Sequence, residues 1–470
     1  MNRRAFTALV TATLLSGLSV VLPLPAIGAA VPPCGTVLFA NTFISGLPDN
    51  CATPFAYKIG FPGITVICGG GAITGNGSNI GIWNPGFPNV DIKNCILKGF
   101  KVGFYITDAV GVDLKNNVAS NNLADGFVLL GNTLGTATRN VATGNGLNGF
   151  NITDSSYLTI THNSGSSNAQ NGFSLLNDTH SRFSENKAGK NTLDGFKIAS
   201  SPYNSFETNA AIYNHADGYD VLPGSDSNMF ETNQAMHNRG IGFDSAVSPR
   251  GYYYGNTAAG NSYGFVLGNL SNYCFASRNT ASVNSEDGFL IYQGADHEVL
   301  SHNFARGNRL NGFEINSTDS DEVSYNVAYS NAASGFALNA TNNVFLYYNT
   351  ATSNGGDGFG VSGGVKDYIY YNFAASNALS GILLNNLSSN NQLYFNTAWN
   401  NGNDGILLDS TTSLNQVVFN RTPGSGAAPT NTPFGRADYS AGAGTLGTAN
   451  YWWLNIPAAF HVKTFPLGLP

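Results

Sequence analysis

The stretch at residues 311–336 reads NGFEINSTDSDEVSYNVAYSNAASGF and returns to its starting Gly-Phe pair after one step. Glycine followed by Phe, Tyr or Ile recurs along the chain at intervals of 22 to 24 residues. The recurring glycines are Gly103, Gly126, Gly149, Gly172, Gly195, Gly218, Gly242, Gly264, Gly288, Gly312, Gly335, Gly358, Gly381 and Gly405. A fixed period of this length predicts stacked repeats, in which each turn of the chain contacts only its neighbours.

Two columns of asparagine share this period, the second running from Asn122 to Asn401 five residues after the first. The first column comprises Asn117, Asn140, Asn163, Asn186, Asn209, Asn233, Asn256, Asn279, Asn303, Asn326, Asn349, Asn372, Asn396 and Asn420. Asn94 lies one period earlier and is expected to extend this column. Stacked amides can hydrogen bond to one another and to the backbone, at about 1 kcal/mol net per bond. We therefore predict a structural ladder at these positions rather than a ligand site.

Apolar residues within each repeat alternate with period two, as at Phe313 and Ile315 or Phe336 and Leu338, which predicts short β-strands. Three such strands per repeat are separated by bends rich in Gly and Asn, and Asn suits a bend because it tolerates the left-handed conformation. Leucine-rich repeats have a similar period, but they need a run of leucines before the asparagine. In this chain the residues before the asparagine are of mixed types. The pattern predicts an all-β, single-domain solenoid whose coils stack as parallel strands.

The repeat N-x-A-x-x-N-x-x-x-G-F-x-L resembles the right-handed parallel β-helix family of the NosD and carbohydrate-binding/sugar-hydrolase type. The segments GITVICGGGAITGNGSNIGI (63–82) and NVDIKNCILKGF (89–100) resemble the entry coils of such proteins. The resemblance covers about residues 34–426 and implies a right-handed parallel β-helix of about 14–16 coils of 22–24 residues. It implies no single function, because the family contains lyases, epimerases, hydrolases and noncatalytic binders.

The first 30 residues combine an arginine pair, an apolar stretch over residues 6–22 and a small-residue end. This pattern is typical of an export signal, with cleavage expected near Ala30. Arg3 and Arg4 also stand in a context that resembles a twin-arginine signal. Because no later apolar run is long enough to cross a bilayer, we expect a periplasmic or extracellular protein without a transmembrane segment.

The rest of the chain divides into three segments by composition. We predict an N-terminal cap at 31–80, a parallel β-helix at 81–426, and a linker with a C-terminal capping tail at 427–470. The tail contains Tyr451-Trp452-Trp453, which is expected to fold back on the last coils. These end segments would cover the open strand edges of the solenoid.

Charge and cysteines restrict the partners and the compartment. Without Arg3 and Arg4, 19 of the 21 basic residues remain against 28 acidic ones, which argues against nucleic acid as a partner. An acidic polysaccharide would need a locally basic groove or bridging cations. Four of the five cysteines lie near the N-terminus, and in an exported protein they suggest two disulfides. Of the three possible pairings we favour Cys34 with Cys51 and Cys68 with Cys95.

One candidate site lies in the column that follows the repeated Phe, which should point outward by the period-two rule. This column places Lys197, Asp220 and Asp244 on consecutive coils. Carboxylates one coil apart would raise one another's pKa and could act as acid and base, while the lysine holds a substrate carboxylate. Ile241 and Ser245 break the repeat beside them, which also marks the region. The alternative is an exposed Lys197–Asp220 salt bridge of little consequence.

Known catalytic motifs of the family are not matched at this place. Gly-Phe-Asp at 242–244 resembles the start of the epimerase signature, but Ser-Ala-Val follows where that signature has Pro-His-Asp. The polygalacturonase motifs are also not found. Because these catalytic signatures are missing, the sequence favours a noncatalytic role.

A second candidate site is aromatic. Tyr347, Tyr370 and Tyr394 recur two residues before the ladder asparagine, and Tyr325 stands beside this column one coil earlier. Because the residue before each of the three should be buried, these tyrosines should face outward. Exposed rings in a row suit carbohydrate, which makes the four tyrosines candidate carbohydrate-binding residues. The alternative is that the aromatic C-terminal tail covers them.

No metal or cofactor site is identified in the sequence. The histidines do not form a ligand set, although His215 and His237 lie near Met229 and Met236, so that a copper site in the manner of NosD is conceivable. The Asp residues before Gly are better explained by Asp-Gly turns than by calcium, which is conceivable but has no supporting motif.

Three functions remain compatible with the sequence. The favoured one is noncatalytic binding of polysaccharide or a cell-surface glycan on an outer face of the solenoid. The others are a lyase or C5-epimerase acting on uronate glycans, and a structural cell-surface scaffold.

Overall fold

A computed structural model describes residues 31–45, 49–422, 435–455, 464–467 and 469–470. The expected export signal at 1–30 lies outside the described residues. The chain forms a right-handed parallel β-solenoid of about 17 turns, with three sheets running along its length. All strand pairs are parallel, and equivalent residues of successive coils align, as Phe313 does with Phe336. The prediction of the fold is confirmed.

Sheet 1 contains the strands that follow the repeated glycine. Its 19 strands are Thr36–Leu38, Phe55–Ile59, Ile80–Asn84, Val102–Thr107, Phe127–Leu130, Phe150–Thr153, Phe173–Leu176, Phe196–Ala199, Tyr219–Val221, Phe243–Ala246, Phe265–Gly268, Phe289–Tyr292, Phe313–Asn316, Phe336–Asn339, Phe359–Ser362, Ile382–Asn385, Ile406–Leu408, Arg436–Asp438 and Thr464–Phe465.

Sheet 2 contains the strands that precede the first asparagine column. They are Thr42–Ile44, Thr65–Cys68, Asp91–Lys93, Asp113–Lys115, Thr136–Thr138, Thr159–Thr161, Arg182–Ser184, Ser205–Glu207, Met229–Glu231, Tyr252–Tyr254, Phe275–Ser277, Val299–Ser301, Glu322–Ser324, Phe345–Tyr347, Tyr368–Tyr370, Gln392–Tyr394, Gln416–Val418 and Tyr451–Trp453.

Sheet 3 lies between the two asparagine columns and has 15 strands. They are Ala72–Thr74, Ile96–Lys98, Val118–Ser120, Val141–Thr143, Ser164–Ser166, Lys187–Gly189, Ala210–Ile212, Gln234–Met236, Thr257–Ala259, Thr280–Ser282, Phe304–Arg306, Val327–Tyr329, Thr350–Thr352, Phe373–Ala375 and Thr397–Trp399. A short 3₁₀ helix at Thr445–Gly447 precedes the last strand of sheet 2.

The core explains why the chain returns to Gly-Phe. The Phe rings of sheet 1 stack face to face, with centroids 4.7 Å apart between Phe313 and Phe336. The glycine before each Phe approaches sheet 3 closely, since a Cβ on Gly312 would lie 2.7 Å from the Gly335 carbonyl oxygen and 2.8 Å from the Ala328 Cβ. The same approach accounts for the alanine column, the Ala that recurs two residues after the first-column asparagine as at Ala328, because a larger side chain would not fit beside the glycine.

The asparagine columns form buried hydrogen-bond ladders, as predicted. The Asn326 backbone N–H donates to Asn349 Oδ1 at 2.9 Å, and Asn326 Nδ2 donates to the same oxygen at 3.1 Å and to the Leu300 carbonyl at 2.8 Å. Each amide therefore satisfies groups of three coils. Asn326 is fully buried, so the groups that it hydrogen bonds cannot be satisfied by water instead.

Two details of the ladder prediction are wrong. The left-handed residue at the bend is not the ladder asparagine but the residue before it, such as Asn116 with φ 55°. Asn94 does not extend the column, because the Cys95 N–H donates to Asn117 Oδ1 at 3.0 Å and Asn116 Nδ2 contacts Asn94 Oδ1 at 3.2 Å. The coil before Asn117 is one residue shorter than the usual 23, so Cys95 aligns with Asn117.

The N-terminal coils of the solenoid contain the predicted disulfides, Cys34–Cys51 and Cys68–Cys95. Cys274 is a buried free cysteine. The expected folding back of Tyr451-Trp452-Trp453 does not occur, because these residues form the next strand beyond Gln416–Val418 and bury Trp452. Among the described residues, no helix is long and apolar enough to span a membrane.

Candidate functional site

Lys197, Asp220 and Asp244 on the outer side of sheet 1, together with Asp194 and Asp217 in the turns before its strands, form a group that we call the acidic face. Lys197, Asp220 and Asp244 align on consecutive strands, which is the juxtaposition inferred from the sequence. Lys197 Nζ lies 3.9 Å from Asp220 Oδ2. Asp217, Asp220 and Asp244 each offer a carboxylate oxygen within 4.8 Å of the other two. The face is therefore a carboxylate cluster with one cation at its edge.

Asp217 joins this cluster through the position before the repeated glycine, where sequence reasoning assigned it only a turn. In this column each side chain accepts a backbone N–H of the next coil. Asp194 Oδ1 accepts the Asp217 N–H at 3.0 Å, and Asp217 Oδ1 accepts the Ile241 N–H at 2.5 Å. Ile241 cannot continue the column, so the ladder of acceptors ends directly beside Asp244. The break at Ile241 was the signal for this arrangement in the sequence.

The carboxyl groups of the acidic face are partly shielded from water and repel one another. Burial raises the pKa of Asp220 to about 7, with a further rise from the charges of Asp194 and Asp217 and an opposing effect of Lys197. Burial, and then repulsion from the other carboxylates, raises the pKa of Asp244 to about 7. Near neutral pH the cluster therefore holds both protonated and ionised carboxyl groups, which can donate and accept hydrogen bonds.

Burial also raises the pKa of Asp217, to about 6, although the hydrogen bond from the Ile241 N–H opposes this rise. Asp194 is buried as well, and burial raises its pKa against the effects of the Asp217 N–H and Lys197. The four aspartates thus share one electrostatic environment.

A second carboxyl pair, Asp287 and Glu314, lies farther along the same outer side. Glu314 is three coils beyond Asp244 and accepts hydrogen bonds from Asn311 Nδ2 at 3.1 Å and Asn339 Nδ2 at 3.3 Å. Burial raises the pKa of Asp287 to about 7, the Asn311 backbone N–H opposes this, and Glu314 adds to it. These amide bonds occupy Glu314, so the pair is more completely satisfied than the acidic face.

Ser245, which breaks the repeat beside Asp244, has a packing explanation. Its side chain is fully buried inside the solenoid. The Ser245 hydroxyl lies near the buried Tyr253 side chain but has no hydrogen-bond partner in the described part of the chain. A Leu or Ile at 245, as in other coils, would compete with this ring for space. This irregularity therefore concerns the core rather than the acidic face.

The predicted carbohydrate-binding tyrosines lie on the outer side of sheet 2. Tyr347, Tyr370 and Tyr394 are half-buried, and the residue before each of them is fully buried, so they face outward as expected. The rings of Tyr347 and Tyr370 stack at 5.0 Å with an angle of 3° between their planes. Their faces thus cover each other, and ring edges and hydroxyl groups form the surface.

The exposure of these rings is not blocked by the described part of the C-terminal tail. Tyr451–Trp453 extends sheet 2 by one strand beyond Gln416–Val418 and does not lie over the tyrosines. Tyr325 keeps 46% exposure. The Tyr347 hydroxyl contacts Glu322, and the Tyr394 hydroxyl donates to Gln416 Oε1 at 2.5 Å.

A metal would find its oxygen ligands on the acidic face. Within the described ranges, Asp217, Asp220 and Asp244 are the one group of three or more His, Cys, Asp or Glu residues close enough to share an ion. Oxygen ligands of this type suit Ca²⁺ rather than copper. His215 and His237 do not belong to this group, and His237 instead stacks on Tyr213 at 5.1 Å.

Comparisons with known proteins give two family matches. A family profile described as "Right handed beta helix region" matches residues 266–422, and one described as "Periplasmic copper-binding protein (NosD)" matches residues 66–235. Each covers about a third of the chain. No curated protein matches the sequence.

Similar solved structures include the pectate lyase Pel9A, at 15% identity over 52% of this chain and 77% of that one, with a TM-score of 0.42. The periplasmic alginate epimerase AlgG has 13% identity over 70% and 76%, with a TM-score of 0.33. The catalytic domain of a GH87 α-1,3-glucanase has 12% identity over 67% and 58%, with a TM-score of 0.32. Likeness at this level carries no functional argument.

The two family matches lie on separate segments of one continuous array of coils. They agree with the three parallel sheets, the asparagine ladders and the stacked Phe rings. Both matches therefore support a right-handed parallel β-helix repeat architecture for this chain.

Proposed function

We propose that this protein binds polysaccharide through the acidic face of sheet 1. The observation that carries the proposal is the cluster of Asp217, Asp220 and Asp244, with Lys197 3.9 Å from Asp220. Carboxyl groups that titrate near neutral pH can both donate to and accept from sugar hydroxyl groups. The outer side of a long sheet also gives an extended ligand room along many coils.

The charge of the acidic face selects the kind of polysaccharide. Four carboxyl groups surround a single lysine, so an ionised uronate would be repelled. A cation such as Ca²⁺, held by Asp217, Asp220 and Asp244, would remove that repulsion and could bridge to a uronate carboxylate. A neutral polysaccharide is therefore expected to bind without a cation, and a uronate polysaccharide only with one.

Affinity gel electrophoresis can test this proposal with neutral and uronate polysaccharides, each with Ca²⁺ or with chelator. Asp220→Asn and Asp244→Asn should weaken retardation by uronate polysaccharide with Ca²⁺ by about ten-fold, since each removes a carboxyl group from the cluster. Glu231→Gln, on the outer side of sheet 2, is the matched control and should bind as the wild type does. Unchanged retardation in both aspartate variants would contradict the proposal.

Catalysis on a uronate glycan is the second candidate, and the specific observation for it is that Asp220 and Asp244 both titrate near pH 7. A pKa close to the working pH suits a general acid or base, and Lys197 could hold the uronate carboxylate. A lyase would produce unsaturated ends and an epimerase a changed uronate composition. Either product should disappear in Asp244→Asn, and its absence across pectin, alginate and glycosaminoglycans would reject this candidate.

Export is the expected setting for either function. The two disulfides agree with an oxidising compartment. We infer that residues 1–30 are removed near Ala30, by a twin-arginine or a general export route. N-terminal sequencing of the mature protein would test the cleavage, and a surface scaffold without ligand would be indicated if neither binding nor turnover were found.

A further inference from the structure

Six stacked aromatic rings from successive coils lie along one corner of the solenoid, each directly after a strand of sheet 2. We call this row the aromatic strip, and it consists of His302, Tyr325, Tyr348, Tyr371, Phe395 and Phe419. Successive centroids are 5.0 Å apart at every step. The strip thus repeats once per coil with little variation.

The backbone under the strip is unfavourable for these residues. The five Tyr and Phe residues have φ between 54° and 58°, a left-handed conformation that bulky side chains rarely adopt. The same corner carries Asn116 and Gly255 in other coils, and those residues adopt it at low cost. The rings also remain 39–46% exposed, so core burial does not explain their presence. The same corner also holds Arg139, Glu185 and Thr232 in other coils, so what distinguishes the strip is its unbroken run of stacked, exposed rings.

The strip presents the edges of its rings, because each ring face is covered by the next ring. Tyr347 and Tyr370 widen the surface by edge contacts with Tyr348 and Tyr371, at 5.9 and 6.1 Å. Aromatic edges carry partial positive charge, and phenol hydroxyl groups donate hydrogen bonds. The surface therefore favours a partner that is rich in oxygen, and the acidic excess of the chain, 28 acidic against 21 basic residues, favours one without negative charge.

The regular spacing identifies the form of that partner. We propose that the aromatic strip binds a neutral linear polysaccharide lying along the solenoid axis, with about one sugar residue per coil. An extended β-1,4-linked chain advances by nearly the same distance per sugar as the strip does per ring. A second copy of this chain fits less well, because ring edges with the same partial charge would meet.

This inference shares its ligand class with the proposed function but rests on other residues. The acidic face lies on sheet 1 in the coils of residues 194–244, whereas the strip lies at the edge of sheet 2 from 302 to 419. The two surfaces can therefore be disabled separately.

The test is the double variant Tyr348→Asn with Tyr371→Asn, in affinity gels with hydroxyethylcellulose and mixed-linkage β-glucan. Asn already occupies this corner at Asn116, so the variant should fold and have an equal or higher Tm. Its retardation in neutral gels should fall by about ten-fold or more. Tyr213→Asn is the control, because Tyr213 is also left-handed and exposed but lies outside the strip. It should share the effect on Tm and keep wild-type retardation.

The inference would be overturned if neither neutral polysaccharide retarded the wild type, or if the double variant were retarded as strongly as the wild type. It would also be overturned if the wild type sedimented as a dimer and the double variant as a monomer. Asp220→Asn/Asp244→Asn separates the two surfaces, because it should leave strip binding intact. If that variant loses all binding while the strip variant keeps it, the acidic face stands and the strip is rejected.

Discussion

At the scale of single residues, Asp321 occupies a position that asparagine holds in later coils. Asp321 Oδ1 accepts the Glu298 backbone N–H at 2.8 Å, and an asparagine oxygen at this position can accept the same kind of hydrogen bond. Asn391 also donates its Nδ2 to the Gly364 carbonyl at 2.9 Å, whereas Asp321 Oδ2 has no hydrogen-bond partner in the structure. An ionised carboxylate therefore presents a second acceptor where the ladder needs a donor.

Asp321→Asn is expected to stabilise the protein, because it restores that donor and removes a buried charge. Burial raises the pKa of Asp321 to about 7, above its ordinary value near 4. Stability is therefore lost as pH rises from about 4 to about 7, when the buried group must ionise. The gain should be small near pH 4 and about 1–3 kcal/mol at pH 8. Thermal unfolding of both proteins at the two pH values measures it, and a lower Tm for the variant at pH 8 would contradict the argument.

Gly335→Ala should destabilise the solenoid. A Cβ at this position would lie 2.7 Å from both the Ala351 Cβ and the Gly358 carbonyl oxygen, so one coil would have to shift. Overpacking of this kind costs about 1–3 kcal/mol. Gly360→Ala is the matched control, since a Cβ on Gly360 would find no atom nearer than 3.9 Å. A similar Tm for both variants would show that close approach is not what requires Gly335.

At the scale of the elements, the ladders carry the stacking of the coils. Asn326→Ala would remove the hydrogen bond to the Leu300 carbonyl and the two hydrogen bonds that Asn303 donates to Asn326 Oδ1. The Leu300 carbonyl and the Asn303 donors would then lose these partners. At about 1–3 kcal/mol for each buried group left without a partner, the loss should exceed that of any outward substitution. The outward Thr352→Ala, on a strand of sheet 3, should be nearly neutral. Comparing the Tm of the two variants tests whether the ladder or the outer surface dominates.

The sequence was sufficient to predict the elements wherever one residue type recurs at a fixed step. The Phe, Ala and Asn columns predicted the strands, the core and the ladders, because each type has one physical role in the coil. It was insufficient for the register at Asn94, where a single missing residue changes which side chain meets Asn117. The sequence prediction also missed Asp217. An Asp before Gly has the same sequence pattern whether it only serves a turn or also joins a carboxylate cluster, and only the structure shows that the column ends at Ile241 beside Asp244.

At the scale of the whole molecule, buried and half-buried carboxyl groups occur in several coils of the described solenoid. Burial is the first cause that raises the pKa of Asp178 to about 8, of Asp220, Asp244 and Asp287 to about 7, and of Glu298 to about 9. The chain also carries an excess of acidic residues, 28 against 21 basic ones. Both properties make the ionised protein less stable than the partly protonated one.

Stability should therefore fall as pH rises from about 5 to about 9. Each of these groups has a folded pKa above its ordinary value near 4, so the folded chain binds more protons than the unfolded chain in that range. Glu207 and Asp319 have lowered pKa values and act in the opposite direction, but their stabilising effect is already complete above about pH 5. Thermal unfolding across this range should show a steady decrease in Tm. Adding Ca²⁺ at pH 8 should reverse part of it in the wild type but not in Asp220→Asn/Asp244→Asn, because the cation replaces the lost protons on the acidic face. A Tm that rises with pH would mean that these carboxyl groups are hydrated rather than buried.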